Sequence, residues 1–128
     1  MASNLISIVD DDESVRRTTK LLVESFGYQA AVFESAESFL KSDQLYDTGC
    51  LVVDIQMPGM NGLQLQSHLA GEGYSIPIIF ITAYWDNSRR RALQAGAVAF
   101  LEKPFNDEQL LKSIRSALKD RKGGTKTT

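Results

Sequence analysis

The sequence predicts an α/β protein, a doubly wound five-stranded parallel sheet flanked by five helices. Two observations carry that reading. Five short apolar runs of strand length alternate with five stretches in which apolar residues recur at helical spacing. The first, third and fourth of those runs are apolar almost without interruption. Strands read that way when both faces are buried, and alternating strand and helix achieves this by laying helices over both sides of the sheet.

The elements follow in order. LISIV, residues 5–9, is the first strand, and 14–26 is a helix whose apolar positions include Val15, Leu21, Leu22 and Phe26. Gly27 supplies the left-handed exit that helix ends favour. YQAAVF at 28–33 is the second strand, followed by a helix over 35–42 with Ala36, Phe39 and Leu40. CLVVD at 50–54 is the third strand, and the helix after it, 61–70, carries Leu63, Leu65 and Leu69. IPIIFIT at 76–82 is the fourth strand; a helix over 87–95, with Ala92, Leu93 and Ala95, ends at Gly96. VAFL at 98–101 is the last strand, and the last helix spans 107–120 with Leu110, Leu111, Ile114 and Leu118. The remaining RKGGTKTT is small, polar and basic and reads as a flexible tail or the start of a linker. The expected organisation is one domain over 1–121 and a tail over 122–128.

Composition narrows the function. A chain of 128 residues makes about one domain and buries roughly two thirds of its unfolded surface, enough to need no disulfide or structural metal. At 43% hydrophobic and 23% charged it has the make-up of a globular protein, and no apolar run approaches the roughly 18 residues of a membrane span. The start, MASNLISIVD, does not read as a secretory signal, having no basic segment ahead of a long apolar stretch. A single cysteine fits a reducing compartment, so the expected location is cytoplasmic, with no membrane contact. The formal net charge of -2 argues against direct nucleic-acid binding, which needs a basic surface.

In a doubly wound sheet, ligands bind outside the carboxyl ends of the strands. The residues at those ends here are Asp10, Asp11 and Asp12 after the first strand, Asp54 ending the third, Thr82 ending the fourth and Lys103 after the fifth. Neighbouring carboxylates repel one another. A hard cation such as Mg²⁺ offsets that repulsion, taking oxygen ligands and completing its shell with water and phosphate. A hydroxyl and an amine on the same edge meet the other phosphate oxygens.

Taken together, VDDDES, VVDIQMPGMNG, FITA and FLEKPF, in that order over about residues 4–120, resemble the receiver domain of two-component response regulators. The wording of MPGMNG and GAVAFLEKPF is most similar to the FixJ-like branch. The resemblance implies a CheY-like, flavodoxin-like fold with strand order 2-1-3-4-5. It also implies a phosphoryl group accepted from a sensor histidine kinase onto Asp54. Matched by position, Asp10 and Asp11 are the acidic pair for Mg²⁺. Asp11, Asp54 and the backbone carbonyl of Gln56 would be direct ligands, with Asp10 acting through water or by orientation. Thr82 is the switch hydroxyl, Lys103 the phosphate-binding lysine, Phe100 the aromatic switch, and the Lys103–Pro104 bond is cis. The expected role is a signalling switch that catalyses only its own phosphorylation and dephosphorylation. It would act through a conformational change of the face made by the fourth helix, fifth strand and fifth helix. Homodimerisation through that face, and control of transcription through an effector outside this chain, are the expected outputs.

Each assignment has a plainer competitor. Asp12, Glu13 and Ser14 stand where a helix N-cap and first turn belong, which accounts for Asp12 without a metal. Lys103 is also readable as a structural partner of Asp54. His68 reads as a solvated helix residue and Cys50 as a small buried hydrophobe. Arg89, Arg90 and Arg91 are either a solvated face or a partner surface, and Tyr84 and Trp85 either an interface, a lid or loop packing. The spacing from Thr82 to Lys103 is one residue shorter than the usual FixJ-like pattern. Two other classes fare worse. An aspartyl-phosphate hydrolase needs a second aspartate two residues after the nucleophile, where this chain has Gln56. A mononucleotide carrier needs phosphate donors after the first strand, where this chain has anions.

Overall fold

Strand pairing in the computed structural model, which describes residues 4–83 and 88–126, follows the predicted alternation. The elements are β1 (Leu5–Val9), α1 (Glu13–Ser25), β2 (Gln29–Phe33), α2 (Ala36–Leu40), a 3₁₀ turn (Asp43–Asp47), β3 (Thr48–Asp54), α3 (Gly62–Gly71), β4 (Ile78–Thr82), α4 (Ser88–Gln94), β5 (Ala99–Glu102) and α5 (Asp107–Lys126). All strand pairs are parallel, and the order is β2-β1-β3-β4-β5, as expected.

The alternation of side chains along a strand sorts the core into two layers. Leu51, Val53, Ile78 and Phe80 point to one face, where they meet Ala36 and Phe39 of α2, Leu65 and Leu69 of α3 and Ala92 of α4. Ile6, Ile8, Val52, Ile79 and Ile81 point to the other, against Val23 of α1 and Leu110, Ile114 and Ala117 of α5. Each of these large side chains contributes roughly 1.5–3 kcal/mol by leaving water. Cys50 belongs to the second layer and is buried, whereas His68 is exposed on α3.

Several boundaries differ from the sequence reading. β3 begins at Thr48, because the Thr48 hydroxyl pairs with Ser7 at 2.7 Å and with the Gln44 carbonyl at 2.7 Å, so a polar residue extends an apolar strand. The 3₁₀ turn was not expected. Ser42 caps it by accepting from Gln44 N–H, and Leu45 anchors it in the core. The expected end of the last helix near residue 120 is corrected, since its backbone stays helical through Lys126. Adding residues to an existing helix needs no new nucleation, so a polar composition that reads as a tail does not stop it. Tyr84 and Trp85 lie outside the described residues. Among the described residues no helix is long and apolar enough to cross a membrane.

β1 lies between β2 and β3, so the chain leaves β1 towards one edge and β3 towards the other. That reversal opens a crevice at the carboxyl ends of β1 and β3.

Candidate functional site

The loop after β1 is locked by its own aspartates. Asp12 is the N-cap of α1, its side chain accepting from Ser14 and Val15 N–H, as the plainer reading held. Asp10 accepts from the Asp12 amide at 2.9 Å through Oδ1 and faces Lys103 Nζ at 3.4 Å through Oδ2. With both oxygens engaged, Asp10 is fully buried, while Asp11 between the two turns outward into solvent.

Asp54 ends β3 and is 7% exposed. Its Oδ1 accepts from Gln56 N–H at 2.9 Å, and its Oδ2 pairs with Lys103 Nζ at 3.0 Å. Thr82, the last residue of β4, is buried, and its carbonyl accepts from Lys103 N–H at 2.7 Å. The Lys103–Pro104 peptide is cis. Carboxylate oxygens of Asp10, Asp11 and Asp54 come within 4.8 Å of one another. With Mg²⁺–oxygen bonds near 2.1 Å, opposite ligands lie roughly 4 Å apart, so three hard oxygen donors at this span fit such an ion. Gln56 is exposed, two residues beyond Asp54.

The electrostatics are those of crowded charge. Burial pushes the Asp10 carboxyl above its ordinary value, opposed by the Asp12 amide and reinforced by the charge of Asp54. Burial also acts to lower the Lys103 ammonium, but the hydrogen bond to Asp54 and the charges of Asp10 and Asp54 together outweigh it and hold it above its usual value. For Asp10, a folded pKa above the unfolded one means stability that is full below about pH 4 and is lost as pH rises through the folded value. At neutral pH, above the unfolded value, Asp10 therefore destabilises the metal-free fold. Asp10→Asn is expected to raise the metal-free melting temperature at pH 7 and to flatten its decline between pH 4 and 7. Thermal melts of both proteins across that range check this, and a lower melting temperature for the variant at pH 7 would contradict it.

Steric constraint fixes the far wall. A Cβ on Gly62, the first residue of α3, would stand 2.7 Å from the Asp54 carbonyl oxygen and 3.1 Å from Phe80 Cε1. Backbone there cannot retreat without moving Asp54. Gly62→Ala is expected to cost about 1–3 kcal/mol, as overpacking does, measured by urea denaturation; an unchanged midpoint would refute the close packing. Phe80 in turn meets Phe100, ring centroids 6.4 Å apart, with Phe100 half-buried on β5 beside the layer that holds Ala92 of α4. Arg89, Arg90 and Arg91 are exposed on α4.

Three residues near the site escaped the sequence reading. Arg16 of α1 donates from a guanidinium nitrogen to the Asp10 carbonyl at 2.7 Å. A cation in the first turn opposes the helix dipole, and that local mismatch was the available signal. Glu37 of α2 accepts from Met60 N–H at 3.1 Å, clasping the loop after β3; Gly59 within it has φ +74°, and a Cβ there would meet the same carboxylate at 2.9 Å. The buried Gln66 donates from its side chain to the Ala92 carbonyl at 3.1 Å, tying α3 to α4. Neither left a local trace in the sequence.

Comparison with known proteins agrees with this fold. The family model of the response regulator receiver domain matches residues 6–115. The chain is 44% identical over 117 residues to the response regulator protein TmoT of Ectopseudomonas mendocina, covering 91% of this chain and 53% of that protein. Among solved structures it resembles response regulator StyR, with TM-score 0.86 and 40% identity over 96% of this chain and 64% of that one. It also resembles FixJ-N, with TM-score 0.83 and 36% identity over 93% of this chain and 96% of that one. The chain spans about half the length of the curated relatives it matches.

Proposed function

The chain belongs to the response regulator receiver domain family, and from that premise we propose that residues 1–121 form a phosphorylation-dependent switch that accepts a phosphoryl group from a sensor histidine kinase onto Asp54. The observation that carries the proposal is the convergence on one crevice of a nearly buried carboxylate, a lysine at 3.0 Å from it and two further aspartates. An ionised carboxylate attacks phosphorus without surrendering a proton, so no general base is required. A bond from phosphorus to an Asp54 oxygen forms as the bond to the donor's nitrogen or oxygen breaks; a nitrogen leaving group takes a proton from solvent, and an acyl leaving group departs as the carboxylate. Mg²⁺ bound by Asp11, Asp54 and the Gln56 carbonyl, with Asp10 behind them, would neutralise the charge that the phosphoryl oxygens bring in. Lys103 supplies a second counter-charge, and the Thr82 hydroxyl is the donor for a remaining oxygen.

The test is intact-mass spectrometry after incubation with a small acyl phosphate or phosphoramidate. One added phosphoryl group, dependent on Mg²⁺, is expected. No gain with either donor at millimolar Mg²⁺ would remove the proposal.

The output follows from position. Phosphorylation of Asp54 offers Thr82 a strong acceptor, drawing the hydroxyl inward and leaving space beneath α4 for Phe100 to rotate into. α4 is short, seven residues long, with Ala92 its one residue in the buried core among those described, so few core contacts oppose its displacement. The α4–β5–α5 face, with Arg89 to Arg91 and the exposed Leu93, is then the surface for a homodimer or partner. Relatives such as FixJ of Azorhizobium caulinodans bear the name transcriptional regulatory protein, which favours control of transcription through a separate segment rather than DNA contact by this acidic domain. Amide chemical shifts with and without a phosphoryl mimic are expected to change across residues 88–115; changes confined to the loops around Asp54 would overturn this output surface.

A further inference from the structure

We infer that Arg16 is a positioning residue for the metal site, setting the orientation of the peptide that carries Asp11. This rests on the reading of Asp10, Asp11 and Asp54 as a Mg²⁺ site. Between Val9 and Asp12 the chain turns out of the sheet, and each part of the turn except Asp11 is held. Asp10 N–H donates to the Phe33 carbonyl at 3.1 Å. The Asp10 carboxylate is held by the Asp12 amide and Lys103, and Asp12 is bound into the cap of α1. The Asp10 carbonyl belongs to the peptide whose nitrogen is that of Asp11, and the Arg16 guanidinium engages it at 2.7 Å.

Rotating that peptide would swing the Asp11 carboxylate away from Asp10 and Asp54. The fork of Arg16 opposes the rotation with a charged donor, which makes a stronger hydrogen bond than a neutral one. Its neighbour Arg17 has a different task, an exposed pair with Glu13 at 3.2 Å one turn along the helix, so of these two arginines it is Arg16 that reaches back to the strand end.

The two effects of Arg16 on a bound cation have opposite sign. As a charge, the guanidinium repels Mg²⁺, and its removal tightens binding. As a positioning group it gathers the ligands, and its removal weakens binding. The positive charge sits on a half-buried side chain, where solvent reduces its reach to a small term, so positioning prevails.

Calorimetric titration of unphosphorylated protein with Mg²⁺ alone separates them. Arg16→Ala is expected to raise the Mg²⁺ dissociation constant about threefold or more, with Arg16→Lys falling between it and the parent. The rate of phosphorylation by a small donor should return to the parent value at saturating Mg²⁺, which a general loss of structure would not permit. Unchanged or tighter Mg²⁺ binding in Arg16→Ala, with the parent protein binding normally, would overturn the inference. Failure of the parent to bind Mg²⁺ would instead overturn the metal-site reading on which it rests.

Discussion

Asp54→Asn is expected to take up no phosphoryl group from any small donor, while remaining folded. The asparagine amide has nearly the same shape and keeps an oxygen to accept from Gln56 N–H at the position now 2.9 Å away, but it is no longer an anionic nucleophile. Removing one charge from three crowded carboxylates also relieves repulsion, so the metal-free variant should melt higher than the parent. The other two aspartates are poor substitutes. Asp10 has both oxygens committed and is fully buried, and Asp11 is exposed to solvent rather than held at the end of a strand. Intact mass and a thermal melt decide the matter together: a phosphoryl mass gain in a cooperatively folded variant would move the acceptor elsewhere.

Lys103→Ala has the second largest expected effect. The ammonium lies 3.0 Å from Asp54 and 3.4 Å from Asp10, and it is the one cation found paired with either among the described residues. In phosphoryl transfer the protein mainly positions groups and neutralises charge, and deleting one preorganised donor typically slows such a reaction about 10²–10³-fold. The rate of phosphorylation by a small donor at saturating Mg²⁺ should fall by about 10²-fold, still at Asp54. The metal-free protein should also lose stability, because two neighbouring carboxylates are left without their cation, and Mg²⁺ should restore more of it than in the parent. A parent-like rate would make Lys103 a structural partner only.

Five strands and five helices were legible because their signals are local. The alternation of Leu51 and Val53 against Cys50 and Val52, which the structure resolves into opposite layers, is a property of adjacent residues. So is the Asp12 cap, whose partners are two and three residues away. Boundaries were less legible where a polar side chain found a distant partner, as Thr48 did with Ser7, or where an existing helix simply continued, as α5 did.

The edge of the site was legible for the same reason. Once the strands are known, the residues at their carboxyl ends are known, and the rule that ligands bind there applies to Asp10, Asp54, Thr82 and Lys103 alike. Their roles came from the family resemblance.

By itself, then, the sequence determined which residues stand at the strand ends and which chemistry they offer: hard oxygens, a hydroxyl and an amine. Tertiary structure alone decided how those groups meet. Lys103 meets Asp54 across 49 residues of chain, Asp10 becomes buried with both oxygens taken while Asp11 stays open, Arg16 turns back onto the Asp10 carbonyl, and Gln66 fastens α4 to α3. These contacts depend on where the sheet and helices bring side chains together. No repeating pattern along the chain encodes a partner that is adjacent only after folding.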